Sequence, residues 1–225
     1  MKGLIAVLLS LTLSLGEPVY QNDSERQIYC SAPNDEKKIA LTFDDGPHPI
    51  YTEQILSILR EYGIKATFFT IGENVKYYPD IFEMVLNDGH EIGNHTFSHP
   101  HMRSENTNEL MDEICMTENL FRQKGAANTK LFRPPEGVCS DTVCATAKQM
   151  GYAIILWTVD TKDWSHTPPE KIVNGVTERV KSGDIILFHD YIASPSPTPD
   201  ALRKLIPELL AKGYRFVTVS ELIGA

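Results

Sequence analysis

Ile39-Ala40-Leu41-Thr42-Phe43-Asp44-Asp45-Gly46-Pro47 is the stretch on which the fold turns. Its first five residues form a short apolar run closed by a turn signal, the pattern of a strand buried on both faces. A nucleotide-binding α/β protein carries a Gly-rich phosphate loop directly after such a strand. Two carboxylates and Gly-Pro stand there instead, which argues against a nucleotide site.

The same alternation continues outward. Ile55, Ile58, Leu59 and Tyr62 repeat at helical spacing, and Gly63 ends that helix. Strand patterns follow at Ala66–Thr70, Glu91–Gly93, Lys130–Phe132, Tyr152–Val159, Asp184–Phe188 and Arg215–Val219. Helical patterns separate them at Pro79–Leu86, Glu105–Phe121, Asp141–Met150, between Pro168 and Gly183, and along the stripe Leu202, Leu205, Ile206, Leu209 and Leu210. About seven strands alternating with helices predict an α/β fold with a parallel sheet inside and helices outside. Two closures are open: a doubly wound sheet, or a TIM-barrel-like (β/α) barrel. No repeat or linker interrupts residues 37–225, which read as one domain, and residues 17–36 read as a polar leader into it.

Residues 1–16 read as a cleaved secretory signal. Lys2 supplies the positive start, Leu4–Leu15 the apolar run, and Ser14-Leu15-Gly16 the small residues ahead of a cut before Glu17. As a helix that run rises only about 18 Å, short of the roughly 30 Å hydrocarbon core, which favours a signal over an anchor. The expectation is an exported monomer with no membrane contact after cleavage. Among 225 residues, 21 Lys+Arg stand against 30 Asp+Glu, a formal charge of −9. That excess of acid disfavours nucleic-acid partners and polybasic lipid anchoring. Four cysteines are too few for a disulfide scaffold. Cys139 and Cys144 flank a predicted helix start at Ser140, and either a bridge or a reduced apolar contact fits that spacing.

Chemistry-bearing residues collect just past predicted strand ends. Asp44 and Asp45 follow the first strand, His95 and His99 the third, Arg133 the fourth, Asp160 and Asp163 the fifth, and His189 the sixth. In a parallel barrel those ends converge on one face. His95 and His99 are four apart, so a helical turn would set both rings on one side. With Asp45 they make a two-histidine, one-carboxylate set with open positions, suited to zinc or another divalent transition metal. The bland alternative is a turn beside a polar surface. Asp44 is the candidate base, with Arg133 as its partner. His189 is the candidate acid, with Asp163 raising its pKa. His48, His90, His101 and His166 read as structural or solvated.

Five segments then become recognisable: Thr42-Phe43-Asp44-Asp45-Gly46, His95-Thr96-Phe97-Ser98-His99, Arg133-Pro134-Pro135-Glu136-Gly137, Asp160-Thr161-Lys162-Asp163-Trp164 and Leu187-Phe188-His189. In that order they resemble the motifs of the NodB-like polysaccharide deacetylases, carbohydrate esterase family four, over about residues 37–223. The resemblance implies a distorted barrel of seven or eight strands. It implies a metal-dependent hydrolase that removes acetyl groups from N-acetylglucosamine-type glycans, peptidoglycan or chitin oligomers. By that resemblance the metal is zinc first, with cobalt, nickel or manganese as substitutes. Asp44 is then the base, and Asp45, His95 and His99 the metal ligands. Arg133 positions the base, and His189 is the acid oriented by Asp163. Trp164 and Leu187 wall the acetyl pocket, although a Trp and a Leu at strand ends are otherwise ordinary core residues. The residue after Pro135 supplies a backbone N–H to the oxyanion; an aromatic is common there, and this chain has Glu136. A carboxylate at that place either faces the cleft, where it would repel an anionic glycan, or points to solvent without effect. The same family also contains acetylxylan O-acetyl esterases and non-catalytic glycan-binding relatives.

Overall fold

In the computed structural model, which describes residues 21–25, 27–102, 106–126 and 130–224, the chain alternates strand and helix. It runs β1 (Ile28–Tyr29), β2 (Lys38–Asp44), α1 (Tyr51–Glu61), β3 (Thr67–Thr70), α2 (Gly72–Tyr77), α3 (Pro79–Asn87), β4 (Glu91–Asn94), α4 (Thr107–Gln123) and β5 (Leu131–Phe132). It continues α5 (Asp141–Gln149), β6 (Ala153–Ile155), β7 (Val159–Asp160), α6 (Pro169–Arg179), β8 (Ile185–His189), α7 (Thr198–Ala211), β9 (Arg215–Phe216) and α8 (Val219–Ile223). The expected signal, residues 1–16, lies outside the described residues. Within the stretch expected as a leader, β1 pairs with β6.

Every pairing of these strands is parallel, in the order β1-β6-β5-β4-β3-β2-β8-β7, with β9 added to β2. Strands β6 and β7 lie near opposite ends of that path, yet only residues 156–158 separate them in sequence. The sheet therefore curls on itself as a distorted barrel, and the chain itself spans the gap. This corrects the expected single strand Tyr152–Val159. Its first half ladders to β5 and its second to β8, and the corner between them cannot stay straight.

The two faces of each strand have separate jobs, as the period of two requires. Ile39, Leu41 and Phe43 of β2 pack outward with Ile55 and Leu59 of α1 and Leu205 and Leu209 of α7. Ala40 points the other way, into an inner cluster with Phe69, Leu131, Ile155 and Ile185 that is closed by Val219 and Leu222 of α8. The parity continues along β2, so Thr42 and Asp44 also face the barrel interior. A third cluster, around Phe132, Leu110 and Ile114, seats α4 and α5. Cys144 is buried in it and the partly buried Cys139 packs against it, both as thiols.

Three other expectations are corrected. Arg215–Val219 is not one strand: β9 stops at Phe216, because Thr218 accepts the Glu221 N–H through Oγ1 and caps α8. Helix α2 was not expected; only Gly72 and Val75 of it are buried, too few to leave a periodic apolar signal. Helix α4 begins at Thr107 behind a capping box, in which Asn106 and Glu109 exchange side-chain and backbone bonds. No helix among the described residues is long and apolar enough to cross a membrane.

Candidate active site

The inward parity of the barrel strands delivers acids and bases to its C-terminal mouth. Asp44 ends β2 and His189 ends β8, directly paired across the ladder. Arg133 follows β5 and is wholly buried. Its Nη1 donates to Asp44 Oδ1 at 2.7 Å and to Thr42 Oγ1 at 2.8 Å. Its Nε and Nη2 donate to the carbonyls of Ile155, the last residue of β6, and Leu156, the first of the corner that follows. The guanidinium lies 4.1 Å from the Phe69 ring centroid. A buried cation costs little only when paired and fully hydrogen-bonded, and this one is.

Asp45 turns away from the strand with φ 74, a left-handed conformation rare for a residue with a side chain. Its Oδ1 lies 3.3 Å from His95 Nε2 and 3.5 Å from His99 Nε2. The pairing of His95 and His99 on a helical turn is corrected here. Both lie in the loop between β4 and α4, and Thr96 and His99 have φ of 67 and 54. The loop is held from outside. Asn94 Oδ1 accepts the Thr96 N–H, and the Glu113 carboxylate of α4 accepts the N–H groups of Phe97 and Ser98. His95 Nδ1 sits 2.6 Å from the Arg133 carbonyl, so that nitrogen carries a proton and Nε2 is the atom turned to Asp45.

One ligand atom from each of Asp45, His95 and His99 lies within 4.8 Å of the others. Asp45 Oδ1 is also buried with no hydrogen-bond donor to satisfy it. An orphaned carboxylate oxygen facing two imidazole nitrogens fits a divalent cation. Burial opposes ionisation of Asp45, but the imidazoles around it, His95 first, prevail and hold its pKa down to about 2. Burial likewise opposes the charged form of His95, and Asp44 then Asp45 raise its pKa above the ordinary value. His99, lowered by burial and by His95, stays below.

Asp163 is fully buried and accepts four bonds. His189 Nδ1 lies 2.9 Å from Oδ1, which also takes the Trp164 N–H; Oδ2 takes the His189 N–H and the Thr198 hydroxyl. Burial works against a charged His189, but Asp163 outweighs it and pushes the pKa up to about 10. Asp160 also faces the site and accepts the Lys162 N–H.

These groups open onto one cleft of about 450 Å³. Asp44, Asp45, His95, His99 and His189 line it, together with Glu136, Trp164 and Leu187. The Trp164 ring is half exposed and Leu187 is buried. Pro135 is buried in the Pro135–Gly137 turn and is not among the residues lining the cleft. Arg133 and Asp163 act from behind. Three of the remaining histidines are placed elsewhere: His48 Nδ1 accepts the N–H groups of Ile50 and Tyr51, His90 Nδ1 that of Ala66, and His166 Nδ1 bonds the Pro195 carbonyl, while the exposed His101 lies 3.0 Å from Glu136 at the cleft. Glu113, Thr198 and Asp190 were not singled out from sequence. Asp190 is buried, takes the Thr52 hydroxyl, and lies so close to Gly46 that a Cβ there would stand 2.1 Å from its Oδ2. A lone acid or hydroxyl in an amphipathic stretch carries no signal of such a role.

The polysaccharide deacetylase family model matches residues 31–155. A peptidoglycan-N-acetylglucosamine deacetylase of Bacillus cereus is 48% identical over 85% of this chain and 90% of its own length. The crystal structure of the Bc1960 peptidoglycan N-acetylglucosamine deacetylase superposes with a TM-score of 0.86 at 36% identity, covering 90% of this chain and 95% of that one. A family 4 acetyl xylan esterase from Clostridium thermocellum, solved with a cobalt ion, gives a TM-score of 0.78 at 35% identity over 84% of this chain and 91% of that one.

Proposed function

The chain belongs to the polysaccharide deacetylase family, hydrolases of glycan N-acetyl groups, and on that premise we propose that it is a secreted, metal-dependent de-N-acetylase of N-acetylglucosamine-type glycans, either peptidoglycan or chitin oligomers. One observation carries the reading: an unsatisfied Asp45–His95–His99 cluster stands in a single cleft with Asp44–Arg133 and Asp163–His189. Asp45, His95 and His99 would hold the cation, zinc first, with cobalt, nickel or manganese able to use the same donors. When bound, the cation supplies Lewis-acid chemistry, polarising an amide carbonyl and making water more acidic.

The chain's own groups do the rest. Asp44, fixed through Oδ1 by Arg133, takes a proton from the attacking water with Oδ2. The water oxygen bonds the acetyl carbon, and the resulting oxyanion needs a donor. Within the turn, Pro135 has no N–H, while Gly137 and Val138 spend theirs on Pro134 and Pro135. That leaves the Glu136 N–H as the turn's donor to the oxyanion. Tied at Nδ1 to Asp163, His189 gives its Nε2 proton to the sugar nitrogen as the C–N bond breaks. Acetate leaves and the sugar keeps a free amine. Trp164 and Leu187 wall the acetyl group, and Pro135 shapes the turn beneath it.

Hydrolysis of acetyl esters on xylan is a second reading, favoured by the likeness to the acetyl xylan esterase. The test is acetate release by the zinc- or cobalt-loaded protein from N-acetylglucosamine oligomers, peptidoglycan and acetylated xylan, each with a chelated control. Chelator-sensitive release from the amide substrates is expected. Release from xylan alone would replace this reading with the esterase. Bound metal with no release from any would leave a non-catalytic glycan-binding protein.

A further inference from the structure

We propose that the Glu136 side chain sets the charge preference of the sugar bound beside the acetyl pocket, favouring glycans that already carry a free amine and disfavouring those that carry a carboxylate. The inference rests on the deacetylase reading above and names its substrate class more closely.

Glu136 occupies a left-handed position, φ 56 and ψ 11, inside the Pro135–Gly137 turn. That conformation places its backbone at the cleft, and the oxyanion contact assigned to it uses only the N–H. The side chain is thereby released for another role. It lines the cleft beside the candidate metal ligands and is 44% exposed, so an incoming glycan meets it. A glutamate on a surface turn ordinarily samples many rotamers, which dilutes its charge at any one point. This one is braced: Oε1 lies 3.0 Å from Nδ1 of His101. His101 belongs to the loop that carries His99, and Glu136 to the turn that follows Arg133. The contact therefore joins the two loops across the mouth and holds the carboxylate there.

Three other carboxylates of the site are matched from within, and Asp160 accepts the Lys162 N–H. Asp44 faces Arg133, Asp163 faces His189, and Asp45 faces two imidazoles. Glu136 stands outermost, and the formal charge of −9 adds a field of the same sign. Deacetylation itself converts neutral N-acetyl sugars into ammonium-bearing ones. A fixed carboxylate beside the pocket would hold such a unit while its neighbour reacts, so successive hydrolysis along one chain is favoured. A lactyl or uronate carboxylate at the same place is repelled.

The test compares three tetramers of N-acetylglucosamine on the metal-loaded protein: neutral, with one unit de-N-acetylated, and with one unit oxidised to a uronate. The reading is the ratio of kcat/KM on the cationic tetramer to that on the anionic one, which cancels any uniform change in rate. Attraction and repulsion of about threefold each, the size of an exposed ion pair, predict a ratio of about tenfold in the native protein. Glu136→Gln should bring it close to one, and Glu136→Lys should invert it. Roughly half-molar salt should shrink it in the native protein and leave it near one in Glu136→Gln. An equal ratio in native protein and Glu136→Gln at low salt overturns the proposal. Calorimetric binding of the fully de-N-acetylated tetramer, which needs no turnover, gives a second reading, expected about threefold weaker in Glu136→Gln. If no tetramer releases acetate, the deacetylase reading fails, and equal binding by the two proteins then overturns the charge preference separately.

Discussion

Two carboxylates of the site each face a cation, and they are built in opposite ways. Asp44 takes its cation on one oxygen. Arg133 bonds Oδ1, and Oδ2 is left at the cleft, 3.9 Å from His95 Nε2. Asp163 has both oxygens saturated by four donors and no place on the cleft wall. The cation differs too. Arginine does not give up its proton in proteins, whereas an imidazole does. The first pair therefore leaves an oxygen able to receive a proton, and the second leaves a ring nitrogen able to give one. An acid–base division of labour follows from hydrogen-bond saturation and from the identity of the partner.

The largest expected effect comes from removing the open oxygen's basicity. Asp44→Asn should lose about three to four orders of magnitude in kcat while binding metal as before, measured by acetate release and metal content. Undiminished turnover would dissolve the contrast. His95→Ala should lose both metal and activity, since one of three candidate ligands goes and the Asp45 oxygen stays buried and orphaned. His189→Ala should cost about a hundredfold on amides but under tenfold on acetyl esters, because an alkoxide is the better leaving group. Equal losses on both would remove its role as the acid.

Asp163→Asn sharpens the other half. Burial already disfavours the charged ring, and without Asp163 only the smaller contributions of Asp45 and Asp44 offset it, so the pKa of His189 should fall from about 10. The alkaline limb of the pH–rate profile should move to lower pH. Stability should follow the same sign. A raised folded pKa stabilises fully below the ordinary 6.5 and is lost as pH rises through about 10. Asp163→Asn should therefore cost more stability at pH 6 than at pH 11, read by denaturant unfolding. Smallest is Thr198→Val, which removes one of the four donors and should cost about 1 kcal/mol with little change in rate.

Much of this division could be read along the chain. The apolar run into Asp44, the strand ends carrying Arg133 and His189, and the spaced motifs already place the candidate acids, bases and ligands together. That legibility is physical: a strand's period of two determines which residues face inward, and a parallel barrel gathers its C-terminal ends. The histidine pair was legible in identity but not in geometry. Its loop is shaped by Asn94 and Glu113, whose bonds depend on α4 arriving from elsewhere. The break in Tyr152–Val159 was hidden for a similar reason, since nothing in a continuous apolar run says where a curling sheet must turn its corner. Thr198 closing on Asp163 and His101 bracing Glu136 join residues 35 apart in sequence in each case. The sequence by itself determined which groups this protein has and which strand ends carry them. Only the tertiary structure decided which oxygen is left open, which nitrogen holds the proton and which carboxylate stands at the mouth, because those depend on hydrogen-bond partners that the fold alone brings within reach.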